Sequence, residues 1–245
     1  MSGHSKWANI QHKKSAADAK RGKIFTKILR EIVISVRLGG SDPNGNPRLR
    51  SAIIKAKESN MPKDTLERAI KKGAGEIEGV TYEEFTYEGY GPDGVAILMD
   101  IMTDNKNRTA GEVRSLMTKL GGNLGAPGSV SFMFSKKGII VFDVKDLNED
   151  KAMEIGIDAG AEDIISEGET IEVITTPDNF ENVLKAFDDL SIPHMQAEVT
   201  MIPSSYQDVA LDKIEKVISL IERLEDIDDV QAVYHNLNIP EGYRG

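Results

Sequence analysis

The stretch from Asp208 to Tyr234 reads DVALDKIEKVISLIERLEDIDDVQAVY, and it indicates how the domains are arranged. Its apolar residues recur at intervals of three and four, which predicts a helix over residues 208–225, and residues 230–234 predict a strand. The apolar helix positions are Leu211, Ile214, Val217, Ile218, Ile221 and Leu224. One helix and one strand cannot bury their apolar faces alone. We therefore expect them to complete a domain that begins earlier in the chain.

The incomplete partner lies within residues 79–135. Apolar and aromatic residues on either side of a Gly-Pro-Asp-Gly turn predict a β-hairpin over residues 84–103. A capping box formed by Thr109 and Glu112 predicts the start of a helix. Alternating apolar and polar residues over 130–134 predict a further strand. This half lacks the closing helix and strand that the C-terminal segment supplies.

Residues 136–204 separate the two halves and carry a complete strand-helix-strand-strand-helix-strand pattern. The sequence therefore predicts an α+β protein, with an N-terminal three-helix domain followed by two ferredoxin-like α/β domains, one inserted in the other. The predicted domains are residues 1–78, residues 79–135 plus 205–245, and the inserted βαββαβ domain of residues 136–204.

Three amphipathic helical patterns precede the first predicted strand. One runs over residues 16–38 and ends at a Gly-Gly pair, a second is centred on residues 49–56, and a third is closed by the Gly-Ala-Gly of residues 73–75. Short links between them favour a small helical bundle. We call residues 1–78 the head and the remainder of the chain the body.

Charge is distributed very unevenly between head and body. Residues 1–75 carry 17 Lys and Arg against 6 Asp and Glu, a net charge of +11, whereas the remaining residues carry a net charge of −21, which together give the −10 of the whole chain. A local positive field attracts polyanions whatever the sign of the whole protein. The head is therefore the part of the chain that we expect to contact a nucleic acid.

The bulk composition limits the class of protein. Hydrophobic residues make up 40% and charged residues 29%, as in ordinary globular proteins. The absence of cysteine excludes disulfides and thiolate metal sites within this sequence. No apolar run reaches 18 residues, and the N-terminal residues lack the apolar stretch of a secretory signal. We expect a cytoplasmic protein with no membrane partner.

Several sequence blocks resemble a known family. Four of them, in chain order, are GHSKWANIQHKK at residues 3–14, MPKD at 61–64, YEGYGP at 87–92 and TDNKNRT at 103–109. These blocks are similar to those of the YebC/PmpR family of "probable transcriptional regulatory proteins", which is related to mitochondrial translational activators of cytochrome oxidase. The resemblance spans essentially the whole chain. It implies a helical domain with two α/β domains, and either a DNA-binding regulator of transcription or a factor that acts in translation at the ribosome.

Cations in the head form the candidate nucleic-acid site. Lys20, Lys23, Lys27 and Arg30 are spaced three, four and three, which places them along one stripe of the first helix. Like charges in a row repel one another, and an anionic partner would offset that repulsion. The predicted nucleic-acid-binding residues are Lys6, Trp7, Lys13, Lys14, Lys20, Arg21, Lys23, Lys27, Arg30, Arg48, Arg50, Lys71 and Lys72, and Lys55, Lys57 and Arg68 add further cations.

Two features leave alternatives open. Trp7 lies in the basic arm, where an aromatic ring can stack on a base or fold back onto the core of the head. The glycine-rich segment from Gly121 to Gly128 follows a predicted helix and enters a strand, the reverse of the order in a phosphate-binding loop. That segment is either a mobile contact loop or a plain connector.

The sequence favours neither catalysis nor metal binding. The carboxylates between Glu222 and Asp229 are typical of a solvated helix end, and four scattered histidines without cysteine do not form a transition-metal site. No Ser-His-Asp arrangement, activated carboxylate pair or P-loop is present in the sequence. We therefore expect a non-enzymatic protein with no cofactor.

The sequence leaves three functions open, of which a small-molecule enzyme built on the α/β units has the weakest support. The first is a DNA-binding transcriptional regulator, and the alternative is a ribosome-associated translation factor that binds rRNA or tRNA. No helix carries the Asn, Gln and Arg spacing that reads bases in a major groove, so we expect contacts to the phosphate backbone of DNA, ribosomal RNA or both. The acidic body either contacts a protein partner or repels nucleic acid, which would direct the polymer to the head.

Overall fold

The computed structural model describes residues 21–239, and three helices form the described part of the head. They are α1 (Arg21–Gly39), α2 (Pro47–Glu58) and α3 (Lys63–Gly73). Asn46 caps α2 by accepting a hydrogen bond from the Leu49 backbone N–H at 3.0 Å, with a proline in the first helical turn. The apolar faces bury a common core that includes Ile32, Leu49 and Ala56.

Helix α3 crosses α1 closely because it ends in a glycine. A Cβ atom on Gly73 would lie 2.7 Å from both the backbone oxygen of Val33 and the Cβ of Val36. Any larger residue would force the two helices apart. Gly73 therefore does more than end the helix, which is the role that the sequence pattern predicts for it.

The first sheet of the body has the strand order β3-β1-β2-β8. Its strands are β1 (Glu83–Tyr90), β2 (Ala96–Thr103), β3 (Asn123–Leu124) and β8 (Val230–His235), and its helices are α4 (Lys106–Lys119) and α7 (Leu211–Glu225). Strand β1 pairs antiparallel with both β2 and β3. The C-terminal strand thus lies beside β2, as the unpaired helix and strand of the sequence predict.

The inserted domain has the order β5-β6-β4-β7, with every adjacent pair antiparallel. Its elements are β4 (Phe134–Asp143), α5 (Glu149–Ala159), β5 (Asp163–Glu167), β6 (Thr170–Thr175), α6 (Phe180–Asp189) and β7 (Gln196–Pro203). Side chains from the sheet and both helices bury a separate core around Phe142 and Phe187. The strand order is that of a ferredoxin-like βαββαβ unit, so the predicted fold class is confirmed.

By backbone packing, the described chain divides into two compact units. One consists of residues 21–129 with 211–233, and the other of residues 130–210 with 234–239. The head thus belongs to the same compact unit as the first sheet and α7. The three domain boundaries drawn from the sequence stay a prediction. No helix within residues 21–239 is long and apolar enough to cross a bilayer.

Two local predictions are wrong. Helix α4 begins one turn before the predicted capping box, because Asn105 caps it by accepting a hydrogen bond from the Arg108 N–H at 3.0 Å. The predicted strand at 130–134 is a short 3₁₀ turn over Ser131–Met133, and β4 begins only at Phe134. Alternation of apolar and polar residues over five positions does not distinguish a strand from a turn: Val130 and Phe134 are buried, but Phe132 between them is exposed.

Candidate nucleic-acid interface

The structure describes only some of the predicted nucleic-acid-binding residues. Lys6, Trp7, Lys13, Lys14 and Lys20 lie outside the described residues, as does the side chain of Arg21. The side chains of Lys23, Lys27, Arg30, Arg48, Arg50, Lys71 and Lys72 are described. They fall into three groups with different surroundings.

The α1 stripe, which we define as Lys23, Lys27 and Arg30, contacts the C-terminal end of α7. The Nζ of Lys23 donates to the backbone carbonyl of Asp226 at 2.9 Å and lies 3.5 Å from its carboxylate. The Nζ of Lys27 donates to the carbonyl of Glu225 at 2.7 Å. These are cations bound by the last carbonyls of a helix, where the helix dipole is negative.

Arg30 completes the contact between α1 and the segment after α7. Its guanidinium donates to the backbone carbonyl of Asp228, and Nη1 lies 2.9 Å from Oδ1 of Asp229. Oδ1 of Asp229 accepts no hydrogen bond within the described residues, so the second contact is an ion pair. The guanidinium also lies 5.5 Å from the centre of the Tyr82 ring, within the range of a cation–π interaction.

Burial changes the electrostatics of Lys27. Loss of water contact lowers the pKa of its ammonium, and the negative charges of Glu225, Asp226 and Asp228 only partly oppose that effect. The ammonium therefore remains partly desolvated in this position. The carbonyl and the carboxylates around it replace much of the water that it loses.

Asp229 is a buried carboxylate on which side chains from three other segments of the chain converge. Its Oδ2 accepts hydrogen bonds from the Thr103 hydroxyl at 3.0 Å, from Arg108 at 2.7 Å and from the Thr109 hydroxyl at 2.7 Å. Burial raises the pKa of this carboxyl, but the three hydrogen bonds and the charge of Arg30 outweigh burial and hold it below its ordinary value. Asp229 therefore stays ionised at neutral pH.

Arg48 joins the head to the first strand of the body. Its guanidinium forms paired contacts of 2.6 and 3.0 Å with the carboxylate of Glu31 on α1, and of 2.6 and 3.0 Å with that of Glu84 on β1. The hydrogen bonds to these two carboxylates raise the pKa of Arg48. Four of its five N–H donors are thus used within the protein.

The remaining cations form two exposed stripes. We define the α2 stripe as Arg50, Ile54 and Lys57, which follow one another at spacings of four and three residues. We define the α3 stripe as Arg68, Lys71 and Lys72, in which the two lysines lie three and four residues after the arginine. All six residues are exposed. Arg50 donates to the carbonyl of Pro43 at 3.2 Å, and no carboxylate within the described chain forms an ion pair with any of the five cations.

The glycine-rich segment is anchored rather than free. The carboxylate of buried Glu88 accepts a hydrogen bond from the Gly128 N–H at 2.7 Å, and its backbone carbonyl accepts one from Gly125 at 2.7 Å. The Tyr90 hydroxyl donates to the carbonyl of Ser129 at 2.9 Å. These contacts favour a fixed turn over a mobile loop.

No group of three or more His, Cys, Asp or Glu side chains within residues 21–239 is arranged to hold a metal ion. Two of the carboxylates that the sequence places in a solvated acidic cluster, Asp226 and Asp229, instead contact cations of the α1 stripe.

Comparison with known proteins identifies the family. Residues 5–76 match the profile described as "TACO1/YebC protein N-terminal domain", and residues 82–237 match "TACO1/YebC second and third domain". This chain belongs to the TACO1/YebC family. The two matches meet within the linker between α3 and β1, and together they cover both the head and the body.

Relatives of the TACO1/YebC family match along almost the full length. A "probable transcriptional regulatory protein" from Treponema denticola is 53% identical over 243 residues, covering 99% of this chain and 98% of the relative. One from Geobacter sulfurreducens is 56% identical over 239 residues, covering 98% and 96%. The crystal structure of a conserved hypothetical protein from Aquifex aeolicus matches with a TM-score of 0.79 and 46% identity over 93% of this chain and 94% of that one.

Sequence reasoning identified the α1 stripe but missed its partner in the body. The contacts at the end of α7 are made largely by backbone carbonyls, which every residue has and which no motif reveals. Asp229 carried a weak signal, because it is the last residue of an acidic run and lies just before a predicted strand.

Proposed function

We propose that this protein is a non-enzymatic regulator of gene expression that binds the phosphate backbone of a nucleic acid, with DNA as the polymer, through its head. The supporting observation is the set of five exposed cations on the α2 and α3 stripes, for which no carboxylate partner lies among residues 21–239. Lysine and arginine side chains that are free to release counterions are the chemistry of phosphate binding.

The contrast with the other head cations sharpens this proposal. The α1 stripe and Arg48 are neutralised by acceptors within the protein. The α2 and α3 stripes have no such partner in the described chain, so their charge acts on the solvent side. The name "transcriptional regulatory protein" of the relatives supports DNA as the polymer. Residues 76–245, with a net charge of −21, repel the same polymer and direct it toward the head.

The binding mode follows from the kind of side chain on the two stripes. Lysine and arginine without a bidentate base-reading arrangement position a protein on the backbone without specifying a sequence. Five phosphate contacts give a slope of log affinity against log salt of about −4.5 for duplex DNA. Affinity should therefore fall steeply with salt and differ little between unrelated duplexes.

The test is charge reversal of the α3 stripe, Arg68→Glu, Lys71→Glu and Lys72→Glu together, measured by fluorescence anisotropy on a labelled duplex over a salt series. Removal of three contacts should reduce the slope by about 2.7 and weaken binding to every duplex alike. A matched control, Lys136→Glu, Lys145→Glu and Lys151→Glu, makes the same change in net charge at exposed sites of the inserted domain.

The control separates local contact from total charge. If the α3 reversal and the control weaken binding equally, the head is not the interface. If neither variant affects binding to DNA or to a structured RNA hairpin, the proposed function fails. Binding to the hairpin but not to the duplex would favour the translational alternative over DNA.

A further inference from the structure

The end of α7 presents to α1 a row of oxygens that resembles a phosphate backbone. Carbonyls of three residues between positions 225 and 228 and the carboxylates of Asp226 and Asp229 all face the α1 stripe. The carbonyls carry the partial negative charge of a helix end, and the carboxylates carry full charges. Phosphate oxygens would be bound by the same nitrogens with the same geometry.

We propose that the end of α7 is an internal competitor for the nucleic acid, which holds the α1 stripe until a polyanion displaces it. This inference rests on the proposed function and adds a regulatory step to it. The α2 and α3 stripes make the first contact, and the α1 stripe becomes available to phosphate only when the head separates from α7. Head separation would thereby couple binding to a change in shape.

Solvent access explains why separation is required. The Lys23 side chain is 41% exposed, but that of Arg30 is only 12% exposed. We call the arrangement in which the α1 stripe contacts the end of α7 the docked state. In the docked state a phosphate group can approach the ammonium of Lys23, yet it cannot reach the guanidinium of Arg30 beside Asp229. Full use of the stripe therefore needs the docked contact to open.

Burial of the Lys27 ammonium limits how strongly the α1 stripe is held at the end of α7. Burial lowers the pKa of its ammonium despite three nearby carboxylates, so the docked position is not a deep electrostatic minimum for this charge. A protein whose competent form is only partly populated binds with an affinity reduced by that fraction. Weakening the docked contact should therefore tighten nucleic-acid binding.

The test compares two neutralising substitutions at the end of α7 in the full-length chain. Asp226→Asn removes the carboxylate that faces Lys23, and Glu222→Gln removes an equal charge from an exposed position of the same helix end. Both reduce general repulsion of DNA, but only Asp226→Asn loosens the docked contact. We expect Asp226→Asn to bind a duplex about two- to fivefold more tightly than Glu222→Gln, the range set by one exposed ion pair.

A double-mutant cycle confines that gain to one contact. In a Lys23→Gln background the ion pair with Lys23 is already absent and Asp226 acts only on Lys27, so the gain of Asp226→Asn over Glu222→Gln should be smaller than in the wild-type background. Equal affinities for the two single variants, or a gain that is undiminished in the Lys23→Gln background, would overturn the inference.

A distance measurement tests separation directly. The chain has no cysteine, so Lys63→Cys on α3 and Glu215→Cys on α7 create a unique pair for spin labels at exposed positions of one compact unit. The inter-label distance should lengthen when saturating duplex is added. An unchanged distance in the bound state would overturn the inference. The proposed function is tested separately, by whether the α3 reversal loses binding.

Discussion

Replacement of Asp229 by asparagine should strongly destabilise the unit that contains the head. Asn keeps the size of the side chain but removes the charge, and its amide nitrogen cannot accept a hydrogen bond. The carboxylate accepts bonds from Thr103, Arg108 and Thr109 and faces Arg30, whose side chain is 12% exposed. The substitution leaves that guanidinium without its buried counter-charge.

The magnitude follows from the kind of contact that is lost. Removal of one partner of a buried ion pair costs about 3–5 kcal/mol. Because an asparagine oxygen can take the position of Oδ2 and still accept hydrogen bonds there, we expect the lower end, about 3 kcal/mol. For a chain of this size that loss lowers the melting temperature by roughly 6–12 °C.

The assay is urea unfolding followed by far-ultraviolet circular dichroism, with hydrogen exchange to assign the transition to residues 21–129 and 211–233. Asp226→Asn is the matched control, since its carboxylate is half-exposed and pairs with half-exposed Lys23; its loss should be below about 1 kcal/mol. If both variants unfolded with the same midpoint, Asp229 would not be the buried centre that its contacts indicate.

Three further outcomes follow from single contacts. Gly73→Ala should destabilise the head by about 1–3 kcal/mol, because its Cβ would lie 2.7 Å from atoms of α1. Gly111→Ala, on the open face of α4, should instead stabilise the protein by up to about 1 kcal/mol. Melting curves of the two variants check the direction of both changes. Glu88→Ala should speed hydrogen exchange at the Gly128 amide about tenfold or more, and exchange at wild-type rate would show that the turn is held by other groups. The stability advantage of wild type over Asp229→Asn should be full at neutral pH, decline once pH falls below the ordinary carboxyl pKa of 3.8, and be lost as pH falls through the lowered folded pKa of Asp229; an advantage that did not change with pH would contradict its ionised state.

Much of the fold could be predicted because apolar periodicity reports which residues face a core. The spacing of Leu211, Ile214 and Val217 indicated α7, and all but the first of these are buried. The lack of a partner for α7 and β8 predicted that they complete a domain begun earlier in the chain, and β8 does lie beside β2 in the first sheet. The errors arose where two local signals competed, as at Thr109, whose hydroxyl binds Thr103 and Asp229 instead of capping a helix.

The candidate site was predicted less well, because spacing shows which side chains share a face and not what that face meets. Lys23, Lys27 and Arg30 do form one stripe, as predicted. Their acceptors lie about 200 residues away in sequence, and most are backbone carbonyls. A solvated stripe, a phosphate-binding stripe and a docked stripe have the same sequence pattern.

The separation between α1 and its acceptors also sets an order of events during synthesis. The core of the head is made from residues within a single stretch, from Ile24 to Tyr82, so it can form soon after that stretch leaves the ribosome. The contact of Lys23 with Asp226 spans 203 positions and must wait until nearly the whole chain has been translated. A head that folds at that stage carries an α1 stripe with no acceptors from α7, and only synthesis of the C-terminal segment supplies them.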